Sequence, residues 1–271
     1  MSLGSTIQCK IADALDSAER ERSPIEALAT LYPGITEEDA YAVQNINAQR
    51  AVKNGKRLVG YKLGLTSREA QRQFNVFQPD FGHLFDSMAV LDDGVIQLSS
   101  LIQPKIEGEI AFVLGRDLKG PGVTIIDVLG AIDYATAALE IVDSRIKEWR
   151  ITAEDTIADN GSSSRFVLCG VKRRIEGIDF SGLGMALYQN GEVKVTGAGA
   201  AVMGNPLAAV VFLANELSKF DRTLRAGEVI LSGALSSMLT VAYGDFFSCE
   251  IASLGKVRVR FTQKGGDHGT H

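Results

Sequence analysis

The chain has 271 residues, 45% hydrophobic and 23% charged, with a formal charge of −5, which suits one large globular domain or two unequal ones. An acidic balance without a basic block excludes nucleic acid as the main partner, because phosphate binding needs clustered Lys and Arg. No apolar run reaches the ~18–20 residues of a membrane span and no signal peptide core opens the chain, so a cytoplasmic location with no membrane partner is expected.

The first ~70 residues read as helical. The stretch IADALDSAERERSPIEALATL keeps helical spacing until Pro24 interrupts it. A cleaner helix follows at TEEDAYAVQNINAQRAVKNG, with Thr36 as cap, Asp39 as a variant of the capping box, Lys53 in the last turn and Gly55 to close it. From about residue 56 the pattern changes to short apolar runs with strand character: LVGYKLGL, KIEGEIAFVLG, RFVLCG, GMALYQ, EVKVTG, GEVILSG, FFSCEIA and KVRVRFT. Asn190-Gly191 predicts a hairpin between GMALYQ and EVKVTG, since both residues tolerate positive φ. A single helix is predicted among these strands, capped by Asn205 with Pro206 in its first turn. The expected fold is α+β, with a helical segment over 1–70, a larger β-rich catalytic domain over 71–264 and a disordered tail over 265–271.

Candidate functional residues are few. His268 and His271 lie in the polar tail, which leaves His83 as the only internal histidine. A His-rich zinc site is therefore excluded, and a Ser-His-Asp triad would depend on that one residue. Cys9, Cys169 and Cys249 are widely spaced and read as reduced packing thiols. In PKIEGEIAFVL, Glu107 and Glu109 are two apart on a strand and share a face, which continues as Ala111 and Val113. Buried together, they need protons, cations or a metal; on an exposed edge they need nothing. In AALEIV, Glu140 is the only polar side chain. Three carboxylates without histidine or cysteine make an all-oxygen site suited to Mg²⁺ or Mn²⁺. Lys62, among apolar and glycine neighbours in LVGYKLGLTS, is either a snorkelling edge residue or their buried cationic partner. Asp80 in QPDFGHLFD reads first as a turn cap, and His83 as a packed ring. DTIADNGSSSRF reads as a polar loop in which Asp159, Asn160 and Ser162 could touch a ligand. TGAGAAVMG lacks the GxGxxG spacing of a dinucleotide loop.

Taken together, LYPGITEEDAYAVQ, GYKLGLTS, QPDFGHLFD, QPKIEGEIAFVLGRDLKGPG, ALEIVDSRI, DTIADNGSSSRF, TGAGAAVMGNP and AGEVILSGAL resemble, in order, the 2-hydroxypentadienoate (2-keto-4-pentenoate) hydratases and the sister 4-oxalocrotonate decarboxylases of the fumarylacetoacetase-like superfamily. The resemblance implies a helical N-terminal segment on a rolled mixed sheet, a homo-oligomer, and a Mg²⁺ or Mn²⁺ cofactor. It also implies a small 2-oxo or 2-hydroxy-dienoate substrate from aromatic meta-cleavage, and allows a complex with a sister pathway enzyme. Carried over by position, the metal ligands fall on Glu107, Glu109 and Glu140, the active-site lysine on Lys62, the aspartate on Asp80, and a further polar contact on Ser162. Arg145 is a weaker candidate for offsetting the acidic charge. The implied reaction is hydration of 2-hydroxypenta-2,4-dienoate to 4-hydroxy-2-oxopentanoate. The alternatives are decarboxylation of 4-oxalocrotonate and, ranked lower, hydration of 2-oxohept-4-ene-1,7-dioate or C–C bond hydrolysis.

Overall fold

The computed structural model describes residues 3–263; the tail over 265–271 and its two histidines lie outside the described residues. The chain opens with helices α1 (Ser5–Glu21), α2 (Leu28–Leu31) and α3 (Glu37–Lys53). At the start of α3, Thr36 and Asp39 form the reciprocal capping box expected from their spacing. Then come β1 (Leu58–Gly64), α4 (Arg68–Phe74), β2 (Asp80–Phe85), β3 (Ala89–Val90) and β4 (Gly94–Gln97). The middle of the chain supplies β5 (Lys105–Leu114), α5 (Ile125–Ala131), β6 (Ile132–Val142), α6 (Ala153–Ala158) and β7 (Ser163–Leu168). The last part contains β8 (Gly184–Gln189), β9 (Glu192–Ala198), α7 (Pro206–Ser218), β10 (Val229–Ala234), β11 (Leu239–Thr240), β12 (Phe246–Ile251) and β13 (Gly255–Thr262).

Two mixed sheets result. The larger runs β2-β1-β10-β5-β6-β7-β3, with β11 added beside β5; the smaller runs β4-β13-β12-β8-β9. Every predicted strand is present, and Asn190-Gly191 joins β8 to β9 with both residues at positive φ. The core lies between the sheets: Ile106, Ile110 and Phe112 of β5 belong to one buried cluster with Phe247, Val257 and Phe261 of β12 and β13. The opposite face of β5 is lined by smaller groups, Ala111 and Val113, clustered with Leu84, Ala138 and Leu231. Both faces of β5 are covered, which explains its near-continuous apolar sequence.

The structure departs from the sequence reading in three places. Helices α4, α5 and α6 add to the single helix expected among the strands; α6 takes the first four residues of the polar loop predicted over 155–166 and β7 the last four. The stretches 80–85 and 132–142, not predicted as strands, are β2 and β6. Strand β1 falls within 1–70 yet is an interior member of the large sheet. We therefore propose that the boundary between helical and sheet parts lies in the 54–57 connection. Among the described residues, Gly199–Ser218 is the one helical stretch long and apolar enough to cross a membrane, but half of it is buried inside the protein.

Candidate active site

Pairing register explains how residues far apart in the chain meet. Directly opposed residues of neighbouring strands point to the same side of a sheet. Glu107 of β5 opposes Glu140 of β6, and Glu109 opposes Ala138. Ala111 opposes Leu231 of β10, Leu231 opposes Lys62 of β1, and Gly64 opposes Asp80 of β2. Three glutamates, one lysine and one aspartate therefore stand on one face spanning five strands. On the same face Ala111 and Ala138 are fully buried, and Gly82 is covered by the Asn160 carbonyl, 2.3 Å from where a Cβ would lie. A cleft of about 520 Å³ opens there, with Lys62, Asp80, Glu107 and Ser162 in its wall.

The three glutamates each offer a carboxylate oxygen within 4.8 Å of the others. Glu109 and Glu140 are fully buried and Glu107 is 9% exposed. Glu109 accepts one hydrogen bond, from the Gly233 N–H at 2.7 Å, on its Oε2 atom. Its Oε1 atom and Glu140 Oε1 have no hydrogen-bond donor, and Glu140 Oε2 has only the Lys62 ammonium beside it, without a well-aligned hydrogen bond. Burial pushes Glu107 up to about 7, with Lys62 opposing and Glu140 adding to the rise. Burial raises Glu109 well above the usual carboxylate range, and Glu140 and Glu107 raise it further. Buried acceptors without donors are costly. An Mg²⁺- or Mn²⁺-sized hard cation would resolve that cost, with Glu107, Glu109 and Glu140 as the residues to hold it. The donor set fits the group.

Lys62 is the cation of the cluster. Its Nζ atom is 3.2 Å from Glu140 Oε2 and donates to the Gly161 carbonyl at 3.0 Å. Burial favours the neutral amine, but Glu140, Glu107, Asp80 and Glu109 outweigh it and hold the ammonium form above its ordinary range. Of the two readings of Lys62, the structure shows the buried partner.

Asp80 is not a turn cap. It is the first residue of β2, 2% exposed, and both its carboxylate oxygens lack a well-aligned hydrogen bond. Burial raises its proton affinity; the Lys62 charge opposes the rise and Glu140 adds to it. Gly64 makes this placement possible, because a Cβ there would lie 2.2 Å from Asp80 Oδ1.

The polar segment after α6 is turned inward. Asn160, Gly161 and Ser162 follow one another at φ of 57°, 61° and 52°. Ser162 is buried and donates its hydroxyl hydrogen to Asp159 Oδ2 at 3.0 Å. Asp159 and Asn160 are engaged with protein partners. Asp159 is paired with Arg145 at 2.5 Å, and Asn160 exchanges hydrogen bonds with the His83 backbone. Arg145 also donates to the Asp143, Asp159 and Ser163 carbonyls. Its charge is therefore committed to Asp159, which removes it as an offset for the glutamates. His83 packs as expected: Arg222 lies 2.7 Å from its Nε2 atom, and its pKa is pushed down to about 3 by burial and the Arg222 charge. Cys249 is no nucleophile, since burial, reinforced by Glu109, pushes its thiol up to about 12.

Three further cleft residues, Thr156, Lys105 and Trp149, escaped the sequence reading. Lys105 offers a retrospective signal, because it shares the parity of Glu107 and Glu109 on β5. Thr156 sits in a stretch that reads as a loop, and the position of Trp149 depends on a turn.

An all-oxygen dication site on the inner face of a curled mixed sheet, flanked by a buried lysine and aspartate, defines a metal-dependent enzyme of the fumarylacetoacetase-like fold. The chain belongs to the fumarylacetoacetate (FAA) hydrolase C-terminal family, whose model matches residues 47–262. It is 50% identical over 250 residues to the 2-keto-4-pentenoate hydratase of Paraburkholderia xenovorans (strain LB400), covering 92% of this chain and 93% of that one. It is 41% identical over 251 residues to the 2-hydroxyhexa-2,4-dienoate hydratase of Comamonas testosteroni, covering 92% and 95%. The solved 4-oxalocrotonate decarboxylase from Pseudomonas putida G7, complexed with magnesium and adipate, matches with a TM-score of 0.93 at 38% identity, over 96% of this chain and 98% of its own.

Proposed function

We propose that this protein is a divalent-metal-dependent hydratase that adds water to 2-hydroxypenta-2,4-dienoate, giving 4-hydroxy-2-oxopentanoate. The carrying observation is that Glu107, Glu109, Glu140, Lys62 and Asp80 share one buried sheet face. The hydratase relatives, 41–50% identical, support the reading.

In this reading Glu107, Glu109 and Glu140 hold the ion. When bound, it would supply Lewis acidity toward the C2 oxygen of the substrate. Lys62, held as an ammonium, assists the proton transfer that turns the dienol into the α,β-unsaturated ketone: C5 gains a proton as the 2-hydroxyl loses one. Asp80 then accepts a proton from the water whose oxygen bonds to C4, and a proton returns to C3. The raised proton affinity of Asp80 suits a general base in a water-poor cleft. Ser162, fixed by Asp159, offers its oxygen to the substrate or the water.

Decarboxylation of 4-oxalocrotonate is the second reading, supported by the decarboxylase match at TM-score 0.93. C–C bond hydrolysis with a histidine-assisted water loses support, because His83 is tied to Arg222 and Asn160. The deciding experiment incubates the Mg²⁺-loaded protein with each substrate. Loss of the dienol absorbance supports hydratase, CO₂ release from 4-oxalocrotonate supports decarboxylase, and inertness toward both removes the two readings together.

The reading extends to a cytoplasmic homo-oligomer. It is supported by three free cysteines and by apolar side chains left exposed, Phe77 at 96% and Leu91 at 84%. A monomeric mass by light scattering would remove the oligomer, and co-purification with a decarboxylase tests the sister complex.

A further inference from the structure

We infer that Lys105, seated against Trp149, binds the C1 carboxylate of the substrate and makes the cleft selective for 2-oxo acids over their uncharged analogues. The inference rests on the reading of the cleft as a 2-oxo acid site.

Lys105 opens β5 on the face that carries Glu107 and Glu109, and it opposes Val142, two residues beyond Glu140 on β6. Lys62 and Asp80 lie toward the other end of this face. Lys62 is level, through Leu231, with Ala111, six residues along β5 from Lys105. Six strand residues span roughly 20 Å, and the Lys62 side chain reaches back from its end to Glu140. The glutamates therefore stand between Lys62 and Asp80 on one side and Lys105 on the other. A 2-oxo acid held at the glutamates with C4 and C5 toward Asp80 and Lys62 directs its C1 carboxylate toward Lys105.

The charges agree with that direction. Lys62 and Lys105 are the cations in the cleft wall, and Lys62 is already committed to Glu140 and the Gly161 carbonyl. Among the described residues Lys105 has no carboxylate within 4.0 Å; its Nζ atom rests 4.5 Å from the centroid of the Trp149 ring. A cation on an aromatic face keeps its N–H donors available to an anion.

The support under Lys105 is built at a conformational cost. Glu148 and Trp149 are consecutive non-glycine residues at φ of 56° and 57°, a conformation that bulky side chains rarely hold without compensation. The indole N–H of Trp149 donates to the Gln103 carbonyl at 2.9 Å and fixes the ring edge-on to the chain leading into β5. The strained turn thus holds the ring beneath the ammonium.

The test is calorimetric titration of Mn²⁺-loaded protein with 2-oxopentanoate, beside titration of the metal-free protein with Mn²⁺ alone. Lys105→Met is expected to bind 2-oxopentanoate at least tenfold more weakly, with Mn²⁺ affinity within threefold of the parent. Lys105→Arg should recover most of the loss, and Trp149→Leu should show a smaller loss of two- to fivefold. The inference is overturned if Lys105→Met binds 2-oxopentanoate within twofold of the parent. It is overturned equally if only the diacid 2-oxoadipate loses affinity, which would put Lys105 at the substrate's far end. A tenfold loss in Lys105→Met, in a protein inert toward the dienoate, would keep this assignment while removing the hydratase.

Discussion

A lysine ammonium surrounded by four carboxylates is worth more to chemistry than to packing. Lys62 is 4% exposed and its carboxylate neighbours keep it an ammonium, and the role proposed for it is that of a positioned proton donor. Lys62→Ala is expected to lower kcat by about 10²–10⁴-fold, the usual contribution of a placed proton donor, with Mg²⁺ binding by calorimetry retained. Undiminished turnover would dismiss the role. His83 supplies a pH prediction of the opposite kind. Its pKa is pushed down to about 3 in the folded protein, against about 6.5 unfolded. Between those values the unfolded chain binds a proton that the folded protein refuses. This part of the stability is therefore complete above about pH 6.5 and is lost on acidification, by up to ~1.4 kcal/mol per pH unit. Urea midpoints at pH 7.5, 6 and 5 should fall more steeply for the parent than for His83→Gln; equal slopes would refute the assignment.

The short segment Asn160–Ser162 shows how an element is held in a conformation its residues do not favour. Asparagine and glycine accept left-handed φ readily, whereas serine pays for it. Arg145 supplies the restraint through Asp159 and three carbonyls, and so keeps the Gly161 carbonyl on Lys62. Arg145→Ala leaves Asp159 buried without its partner, a loss of about 3–5 kcal/mol. Arg145→Lys should recover only part of it, because the ammonium lacks the fork of donors. Thermal unfolding of the two variants measures the difference, and equal melting temperatures would show that the fork is not needed. Element type was readable where periodicity was strong, as in α3 and the β8–β9 hairpin. It was not readable in β6, whose IDYATAALEIV is rich in alanine, a helix former. Pairing with β5 on one side and β7 on the other overrides that preference.

Across the molecule, the larger sheet stores a local conflict: buried acids brought together, with several oxygens lacking donors. A dication that binds only the folded protein relieves the conflict and stabilises by RT ln(1 + [L]/Kd), about 2.7 kcal/mol at one hundred times Kd. Saturating Mg²⁺ should raise Tm by roughly 5–10 °C for a chain of this size, EDTA should reverse the rise, and Glu140→Gln should abolish it. A Tm indifferent to Mg²⁺ would remove the metal from the site.

The residue types and their spacing were enough to nominate three glutamates and a lysine, because apolar runs that tolerate an acid or an ammonium are conspicuous along a chain. They also fixed the strand-rich class and the capping of α3, since alternation and caps are local properties. Tertiary structure alone decided that Asp80 is buried beside Lys62 and that Arg145 is spent on Asp159. It also decided that Lys105 stands on the far side of the glutamates from both. Each of these depends on cross-strand register and on turns at positive φ, which bring together residues from 14 positions apart, as Arg145 and Asp159, to 99, as Lys62 and Gly161, through pairings that no local pattern encodes.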